Sequence, residues 1–168
     1  MTRAQTAPLD ALQRAQIADF FMDYAHTIDD ADVRAWPSYF CEDGRYQIIT
    51  RESYEAGWPI GIMLCTSRAM MEDRMLALET ANVFEPHSYC HILGPHRISQ
   101  SAQDTGSDSY DVRTNFSIVR TMQEGRMEQF AAGKYVDRLT LASGQPMLQS
   151  RTVVLDPKRV DILIVYPL

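Results

Sequence analysis

Residues 109–156 read SYDVRTNFSIVRTMQEGRMEQFAAGKYVDRLTLASGQPMLQSRTVVLD, and this stretch decides the fold class. It contains three segments rich in β-branched and aromatic residues, separated by short polar breaks that include Glu124-Gly125 and Ser143-Gly144. Such segments and such breaks are typical of strands and tight turns. The predicted strands are 109–123, 126–141 and 147–156. Because strands joined by short turns run antiparallel, we predict a sheet of long antiparallel strands.

One further strand is predicted before this stretch, over 87–99, and one after it, over 160–166. The turns that connect them to it are predicted at 106–108 and at Asp156-Pro157, where turn-forming residues cluster. The strand over 160–166 is apolar on both faces. We therefore expect other elements to cover both of its faces.

The N-terminal half of the sequence follows helical spacing instead. Asp10 with Gln13 matches a capping box that begins the first helix. The apolar face of this helix is formed by Ile17, Phe20, Phe21, Tyr24 and Ile28. The apolar side of a second, short helix is formed by Val33, Trp36, Tyr39 and Phe40. Pro37 limits the length of the second helix, because proline interrupts helical hydrogen bonding.

Shorter elements are predicted between the second helix and the long strands. A turn at 42–44 (Glu-Asp-Gly) leads into a strand over 46–51, and a polar loop over 52–59 leads into an extended segment over 60–64. Ser67 is then predicted to cap a third helix. The apolar positions of this third helix are Met70, Met71, Met75, Leu78 and Ala81.

The order of these elements decides the architecture. Helices come first and a run of strands follows, which indicates an α+β fold rather than a doubly wound parallel one. We expect a cone-shaped, curved antiparallel sheet packed by about three helices from the N-terminal half. A chain of 168 residues is long enough to bury its own core. We expect one domain over 1–168, with a loose arm over 1–8.

The charge of the chain argues against two kinds of partner. The formal net charge is -6 and the pI about 5.1, so nucleic acids and anionic membranes are unfavourable partners. No apolar run reaches the roughly 20 residues that span a bilayer, and the polar N-terminus does not resemble a signal peptide. Three cysteines are too few, and odd in number, for a disulfide framework. We therefore expect a cytoplasmic protein.

The sequence lacks the motifs of several common enzyme classes. It has no glycine-rich phosphate loop and no nucleophile elbow. A Rieske cluster needs cysteines and histidines at C-x-H and C-x-x-H spacing, which Cys90-His91 does not provide. The residue count leaves open a mononuclear iron site of two histidines and a carboxylate, although no triad has a recognisable spacing.

Two hypotheses concern the histidines. His87 and His91 are four apart in a predicted strand, so they share a face as either a metal pair or ordinary sheet histidines. His91 is also a candidate partner for Asp29 or Asp30 at the end of the first helix. Such a pair, with Tyr24, would suit acid–base chemistry in a stand-alone dehydratase or isomerase. The alternative is that Asp29 or Asp30 only caps the second helix.

Several stretches of the sequence carry a family resemblance. They are Tyr24-Ala25-His26-Thr27-Ile28-Asp29 with Trp36-Pro37-Ser38-Tyr39-Phe40, Asp73-Arg74 with Ala81-Asn82-Val83-Phe84-Glu85-Pro86, His91-Ile92-Leu93-Gly94, and Asp161-Ile162-Leu163-Ile164-Val165-Tyr166-Pro167-Leu168. Together they resemble the small β subunits of bacterial aromatic-ring-hydroxylating (Rieske non-heme iron) dioxygenases, above all those of the terephthalate type, with salicylate and anthranilate types related. Ser88, Tyr89 and Cys90 stand where many members of this family carry arginines.

The resemblance implies a fold of the scytalone-dehydratase and nuclear-transport-factor-two type. It also implies a large α subunit that holds a Rieske [2Fe-2S] cluster and a mononuclear Fe(II), with electrons from NADH through a separate reductase. Three α and three β chains would form a heterohexamer in aromatic compound catabolism. The β chain would bind no cofactor, have a structural role and be inactive alone. The fold does not decide this by itself, since related cones are enzymes.

Interface residues are predicted from side-chain type and position. Arg120, Arg138 and Arg151 lie in predicted strands among apolar neighbours, and arginine suits ion pairs between subunits. Trp58 lies in a loop that we expect to contact a partner. Under this hypothesis the chain has no catalytic, metal-binding or cofactor-binding residue. The remaining alternatives are the cone enzyme described above and a small-molecule binding module without chemistry.

Overall fold

The computed structural model describes residues 9–59, 61–81, 84–101, 108–142, 144–157 and 164–168. Within these ranges the helices are α1 (Ala11–Asp29), a 3₁₀ helix (Trp36–Tyr39), α2 (Arg51–Glu55) and α3 (Arg68–Ala81). The strands are β1 (Phe40–Thr50), β2 (Met63–Cys65), β3 (His87–Leu93), β4 (Arg97–Gln100), β5 (Ser109–Met122), β6 (Met127–Thr140) and β7 (Met147–Leu155).

The strands form one sheet in the order β2-β1-β7-β6-β5-β3, with β4 also paired to β5. The predicted antiparallel pairing of the three long strands is confirmed, because β5 pairs antiparallel with β6 and β6 pairs antiparallel with β7. The pairing of β1 with β7 is parallel, which was not predicted. These two strands are far apart along the chain, so no tight turn constrains their direction.

Helix α1 packs its apolar side against the inner face of the curved sheet. The predicted capping box is present: the Asp10 carboxylate accepts from the Gln13 N–H at 2.7 Å, and the Gln13 side chain accepts from the Asp10 N–H. Four of the five predicted apolar positions are buried, namely Ile17, Phe21, Tyr24 and Ile28. The prediction of an amphipathic helix at the start of the fold is therefore confirmed.

The segment between α1 and α3 differs from the prediction in two places. The turn predicted at 42–44 lies instead inside β1, where the pairing with β7 shifts register between Phe40 and Arg45. The predicted polar loop over 52–59 begins as α2, because the Thr50 hydroxyl accepts from the Ser53 N–H and caps a helical turn. A short polar helix has no apolar periodicity, so the sequence pattern did not indicate it.

The third helix agrees with the prediction. The Ser67 hydroxyl accepts from the Met70 N–H at 3.3 Å at its start. Met71, Met75 and Leu78 are buried, whereas Met70 is exposed on the opposite side. The short helix that follows α1 is a single 3₁₀ turn, with Pro37 in its first turn.

The strand predicted over 87–99 is divided into β3 and β4. Pro95, which cannot donate to a sheet ladder, lies in the break between them. Of the strand predicted over 160–166, residues 160–163 lie outside the described residues, and residues 164–166 are not in a strand. The predicted arm over 1–8, the turn at Gly106-Ser107 and Ser143 also lie outside the described residues.

None of the described helices is long and apolar enough to cross a membrane.

Candidate functional site

The inner face of the sheet contains a buried ion pair. Asp137 of β6 and Arg151 of β7 lie directly opposite one another in the antiparallel ladder. The Arg151 Nε and Nη2 atoms donate to the two carboxylate oxygens of Asp137 at 2.9 Å each. Both residues are at most 2% exposed. The bidentate geometry satisfies the Nε and Nη2 donors of the guanidinium group, and the opposite charge of Asp137 compensates for its removal from water.

Three aromatic rings enclose the guanidinium group of Arg151. Its central carbon lies 4.0 Å from the ring centroid of Tyr24, 4.2 Å from that of Tyr135 and 5.2 Å from that of Phe21. A cation over aromatic faces is stabilised by the ring quadrupoles. Burial is the largest single influence on the pKa of Arg151 and lowers it, but the charge and hydrogen bonds of Asp137, together with the neighbouring tyrosine hydroxyls, raise it overall. Arg151 therefore keeps its positive charge at the centre of the fold, whereas burial raises the pKa of Asp137.

This position corrects one prediction. Arg151 is 1% exposed and its charge is paired with Asp137 inside the chain. It therefore cannot contact a partner subunit as predicted. The sequence alone contained a signal for the pair, since opposite charges at inward-facing positions of neighbouring strands attract one another across a sheet. Asp137 was not predicted as the partner of Arg151, because their contact depends on the strand register.

The other three predicted interface residues reach the surface. The Arg120 side chain binds Glu128, with Nε to Oε1 at 2.9 Å, and lies over the Phe130 ring at 4.3 Å. The Arg138 Nε donates to Asp111 at 3.0 Å. Trp58 is 59% exposed. Their roles as interface residues remain predictions.

Tyr24 belongs to a hydrogen-bonded chain in the core. Its hydroxyl accepts from the Trp36 indole N–H at 2.7 Å and donates to the Leu168 carbonyl at 3.3 Å. The Tyr46 hydroxyl donates to the same carbonyl at 3.2 Å and accepts from the Leu168 N–H at 2.9 Å. Burial raises the pKa of both tyrosines. Tyr24 is therefore held as a neutral phenol, which makes it a poor acid and a poor base.

Asp29 and His91 are in contact. One carboxylate oxygen of Asp29 lies 2.5 Å from His91 Nδ1, and the other accepts the His91 backbone N–H at 2.8 Å. His91 lies on the edge strand β3, so Asp29 covers a backbone donor that the sheet leaves unpaired. Asp30 does not join this contact: it is the exposed residue that ends α1. Neither aspartate caps the short helix, whose N-terminal residue Ala35 makes no side-chain capping bond.

The Asp29–His91 arrangement has the geometry of a carboxylate that orients a histidine base. A base also needs a substrate beside its second nitrogen. The His91 side chain is 0% exposed, and its Nε2 has no hydrogen-bond partner among the described residues. The pair therefore ties α1 to β3, and its histidine is closed to solvent.

The space at the centre of the described fold is closed as well. It is lined by apolar and aromatic side chains together with the polar ends of His96, Thr114 and Arg151. These side chains leave a volume of about 0 Å³ for a water-sized molecule. His91 is not among the lining residues. A stand-alone cone enzyme needs an accessible interior, and the described residues do not provide one there.

The remaining histidines do not form a metal centre with their neighbours. His87 shares a face of β3 with His91, as predicted, and its Nδ1 lies 2.8 Å from the carbonyl oxygen of Glu85. Across the part of the chain that the structure describes, no three His, Cys, Asp or Glu side chains converge to hold a metal ion. These residues therefore do not fit a Rieske cluster or a mononuclear iron.

His96 is a half-buried histidine that lines the centre of the fold. Its Nδ1 lies 2.7 Å from the Thr114 hydroxyl, and its ring packs 5.0 Å from the ring of Phe21. Burial, followed by the positive charge of Arg151, lowers the pKa of His96. The folded chain therefore holds this histidine neutral under conditions in which the unfolded chain binds a proton.

We predict that His96 makes the chain less stable in acid. Because the pKa of His96 is lowered on folding, protons bind the unfolded chain preferentially, and stability falls as the pH drops below the ordinary histidine pKa of about 6.5. Urea unfolding at neutral and mildly acidic pH measures this fall. A His96→Gln variant should show a shallower dependence, with His26→Gln on the exposed side of α1 as the control. An equal dependence in wild type and H96Q would contradict the assignment.

Comparisons with known proteins give consistent relatives. The family model described as "Ring hydroxylating beta subunit" matches residues 24–161. The chain is 36% identical over 157 residues to the terephthalate 1,2-dioxygenase terminal oxygenase component subunit beta 2 of Comamonas sp., covering 94% of this chain and 99% of the relative. It is 32% identical over 145 residues to the anthranilate 1,2-dioxygenase small subunit of Burkholderia cepacia, covering 86% and 88%.

A solved structure agrees with these relatives. A beta subunit from Novosphingobium aromaticivorans, assigned to an aromatic-ring-hydroxylating dioxygenase, superposes with a TM-score of 0.82 at 32% identity. The superposition covers 94% of this chain and 97% of that chain. The predicted curved-sheet α+β fold is thereby confirmed.

Proposed function

This chain belongs to the ring-hydroxylating beta subunit family, and from that premise we propose that it is the structural small subunit of a multicomponent aromatic-ring-hydroxylating oxygenase. The observation that carries the proposal is 36% identity to a terephthalate dioxygenase beta subunit across 94% of this chain and 99% of the relative.

The chain's contribution is made through its surfaces. Three interior contacts join polar groups within the chain: Arg151 binds Asp137, Tyr24 binds Leu168, and Asp29 binds His91. The described residues do not fit a metal centre. We therefore assign the Rieske [2Fe-2S] cluster and the mononuclear Fe(II) to a large α subunit, which supplies the oxygen chemistry with NADH electrons from a separate reductase.

The substrate of the assembled enzyme is an aromatic carboxylic acid. The names of the relatives, terephthalate and anthranilate dioxygenases, both describe enzymes that act on such acids. In the proposed assembly three α and three β chains form a hexamer in the cytoplasm. Trp58, Arg120 and Arg138 are the surface residues that we assign to contacts between subunits.

A stand-alone dehydratase or isomerase is the second candidate, because Asp29 and His91 are in contact. The enclosed His91 Nε2 and the closed interior both count against it. The main proposal accounts for the same pair as a structural tie between α1 and the edge strand β3.

Purification with a partner tests the proposal. The full chain is expressed alone and together with a candidate large α subunit, and the mass and visible absorbance of each product are measured. We expect a colourless chain alone and a coloured complex with equal numbers of both subunits. Bound iron in the chain alone, or failure of the two subunits to co-purify, would overturn the proposal.

A further inference from the structure

Residues 164–168, called the strap from here on, lie against the core although they belong to no strand. Leu168 is 0% exposed and Val165 is 8% exposed. The Leu168 carbonyl accepts from the hydroxyls of Tyr24 and Tyr46 at 3.3 and 3.2 Å, and the Leu168 N–H donates to the Tyr46 hydroxyl at 2.9 Å. Side chains of α1 and β1 thus satisfy backbone groups of the strap that lie outside the sheet ladder.

The strap also covers a cluster of aromatic rings beside β3. The Tyr166 ring lies 5.2 Å from the ring of His87 and 5.7 Å from that of Tyr89, and it meets the ring of Phe84 edge-on at 5.6 Å. Phe84 and Tyr89 pack against His87 from other sides, at 5.7 and 5.1 Å. His87 Nε2 is buried and has no hydrogen-bond partner among the described residues. The three rings therefore separate this nitrogen from solvent.

The two contacts of the strap join strands that the sheet keeps apart. Leu168 binds β1 and Tyr166 packs on β3, and the strands β7, β6 and β5 lie between those two. In a flat sheet, four strand spacings would place β1 and β3 about 19 Å apart, whereas two residues of extended chain cover roughly 7 Å. The strap therefore crosses the concave side of the curved sheet and connects its two ends.

The Asp29–His91 pair lies next to the ring cluster that the strap covers. The Tyr89 ring, which packs against Tyr166, lies 6.4 Å from the His91 ring. The His91 side chain is 0% exposed, and its Nε2 is buried without a hydrogen-bond partner among the described residues. The strap thus supports, through Tyr89, the enclosure of a histidine that already has its orienting carboxylate.

We propose that the strap is a separable closure of the cone, which holds β1 and β3 together and shields His87 and the Asp29–His91 pair from solvent and solutes. Folded chains open locally without unfolding as a whole, and a short segment outside the sheet ladder is the kind of element that does so. The contact is autoinhibitory in form, because it keeps the second nitrogen of an oriented imidazole out of reach. The strap belongs to this chain alone, so the inference does not depend on the binding of a large subunit.

Histidine acylation by diethyl pyrocarbonate tests the strap in the full chain. The reagent attacks an unprotonated imidazole nitrogen that it can reach, and mass spectrometry locates each modified residue. Exposed His26 gives the reference rate in every sample. Leu168→Asp places a charge in the apolar core and so disfavours docking of the strap. We expect L168D to raise the relative rate at His87 about 10-fold or more, with a smaller rise at His91, which Tyr89 still covers.

His96 distinguishes opening of the strap from opening of the whole fold. It contacts Thr114 and Phe21 rather than the strap, so its rate should stay at the wild-type value in L168D. Rates that rise at His96 as strongly as at His87 would show that the strap leaves only when the whole chain unfolds. That result would overturn the proposal of a separable closure.

Two further variants complete the test. Leu76→Asp makes the same chemical change as L168D at a residue of α3 that is 58% exposed, and it should leave every histidine rate unchanged. Tyr46→Phe keeps the ring and removes the hydroxyl that binds both backbone groups of Leu168, so it serves as the milder variant if L168D loses its fold by circular dichroism. We expect Y46F to raise the rate at His87 by a smaller factor. Wild-type protection of His87 in a folded Y46F or L168D chain overturns the proposal.

Discussion

Replacing Asp137 with Asn is expected to lower the free energy of unfolding by about 3–5 kcal/mol. The substitution keeps the size of the side chain but leaves the Arg151 guanidinium buried without its counter-charge. A buried charge loses hydration that only a partner of opposite charge replaces. Urea unfolding of the purified chain, followed by circular dichroism, measures the loss.

A double variant provides the matched control. Asp137→Leu with Arg151→Met removes both charges and places apolar side chains at the same two positions of the ladder. Because replacing a whole buried pair with apolar residues is often close to neutral, the double variant should be more stable than D137N. A D137N chain as stable as wild type would show that the pair contributes little to the attachment of β6 to β7.

The second large effect is expected at Trp36. Its side chain is 0% exposed, packs edge-on against the ring of Tyr46 at 4.9 Å, and donates to the Tyr24 hydroxyl at 2.7 Å. Trp36→Ala should therefore cost about 3–5 kcal/mol of stability, because it opens a cavity in the core. The denaturation midpoint of the variant in urea, compared with that of wild type, measures the effect.

The chain contains a matched control for this substitution. Trp58 is the other tryptophan of the sequence and is 59% exposed. Trp58→Ala makes the same chemical change at the surface and should shift stability by no more than about 0.5 kcal/mol. Similar losses for W36A and W58A would contradict the packing described for the core.

The sequence predicted the parts of the fold that depend on residues close to one another along the chain. The capping residues of α1, its apolar face and the consecutive strands β5, β6 and β7 were all predicted from neighbouring residues. The parallel pairing of β1 with β7 joins segments about 100 residues apart and has no local pattern. Helix α2 was missed for a related reason, since five polar residues carry no periodicity.

The candidate site was predicted less completely. A contact of His91 with Asp29 or Asp30 was one of two alternatives, the other being a helix cap, and the structure places Asp29 against His91. The enclosure of that histidine depends on side chains from several elements and was not visible in the sequence. Arg151 shows the opposite case, because only the strand register shows that it binds Asp137 rather than a partner subunit.

Turnover by separate and assembled subunits tests the central claim most directly. Oxygen uptake and aromatic product are measured, with NADH and reductase present, for the full chain alone and for the large subunit assembled with wild-type or His91→Gln chain. We predict no turnover by the chain alone and equal rates per iron for the two assemblies. Turnover by the chain alone, or a lower rate with H91Q in an assembly of unchanged mass, would place chemistry in this chain and contradict its structural role.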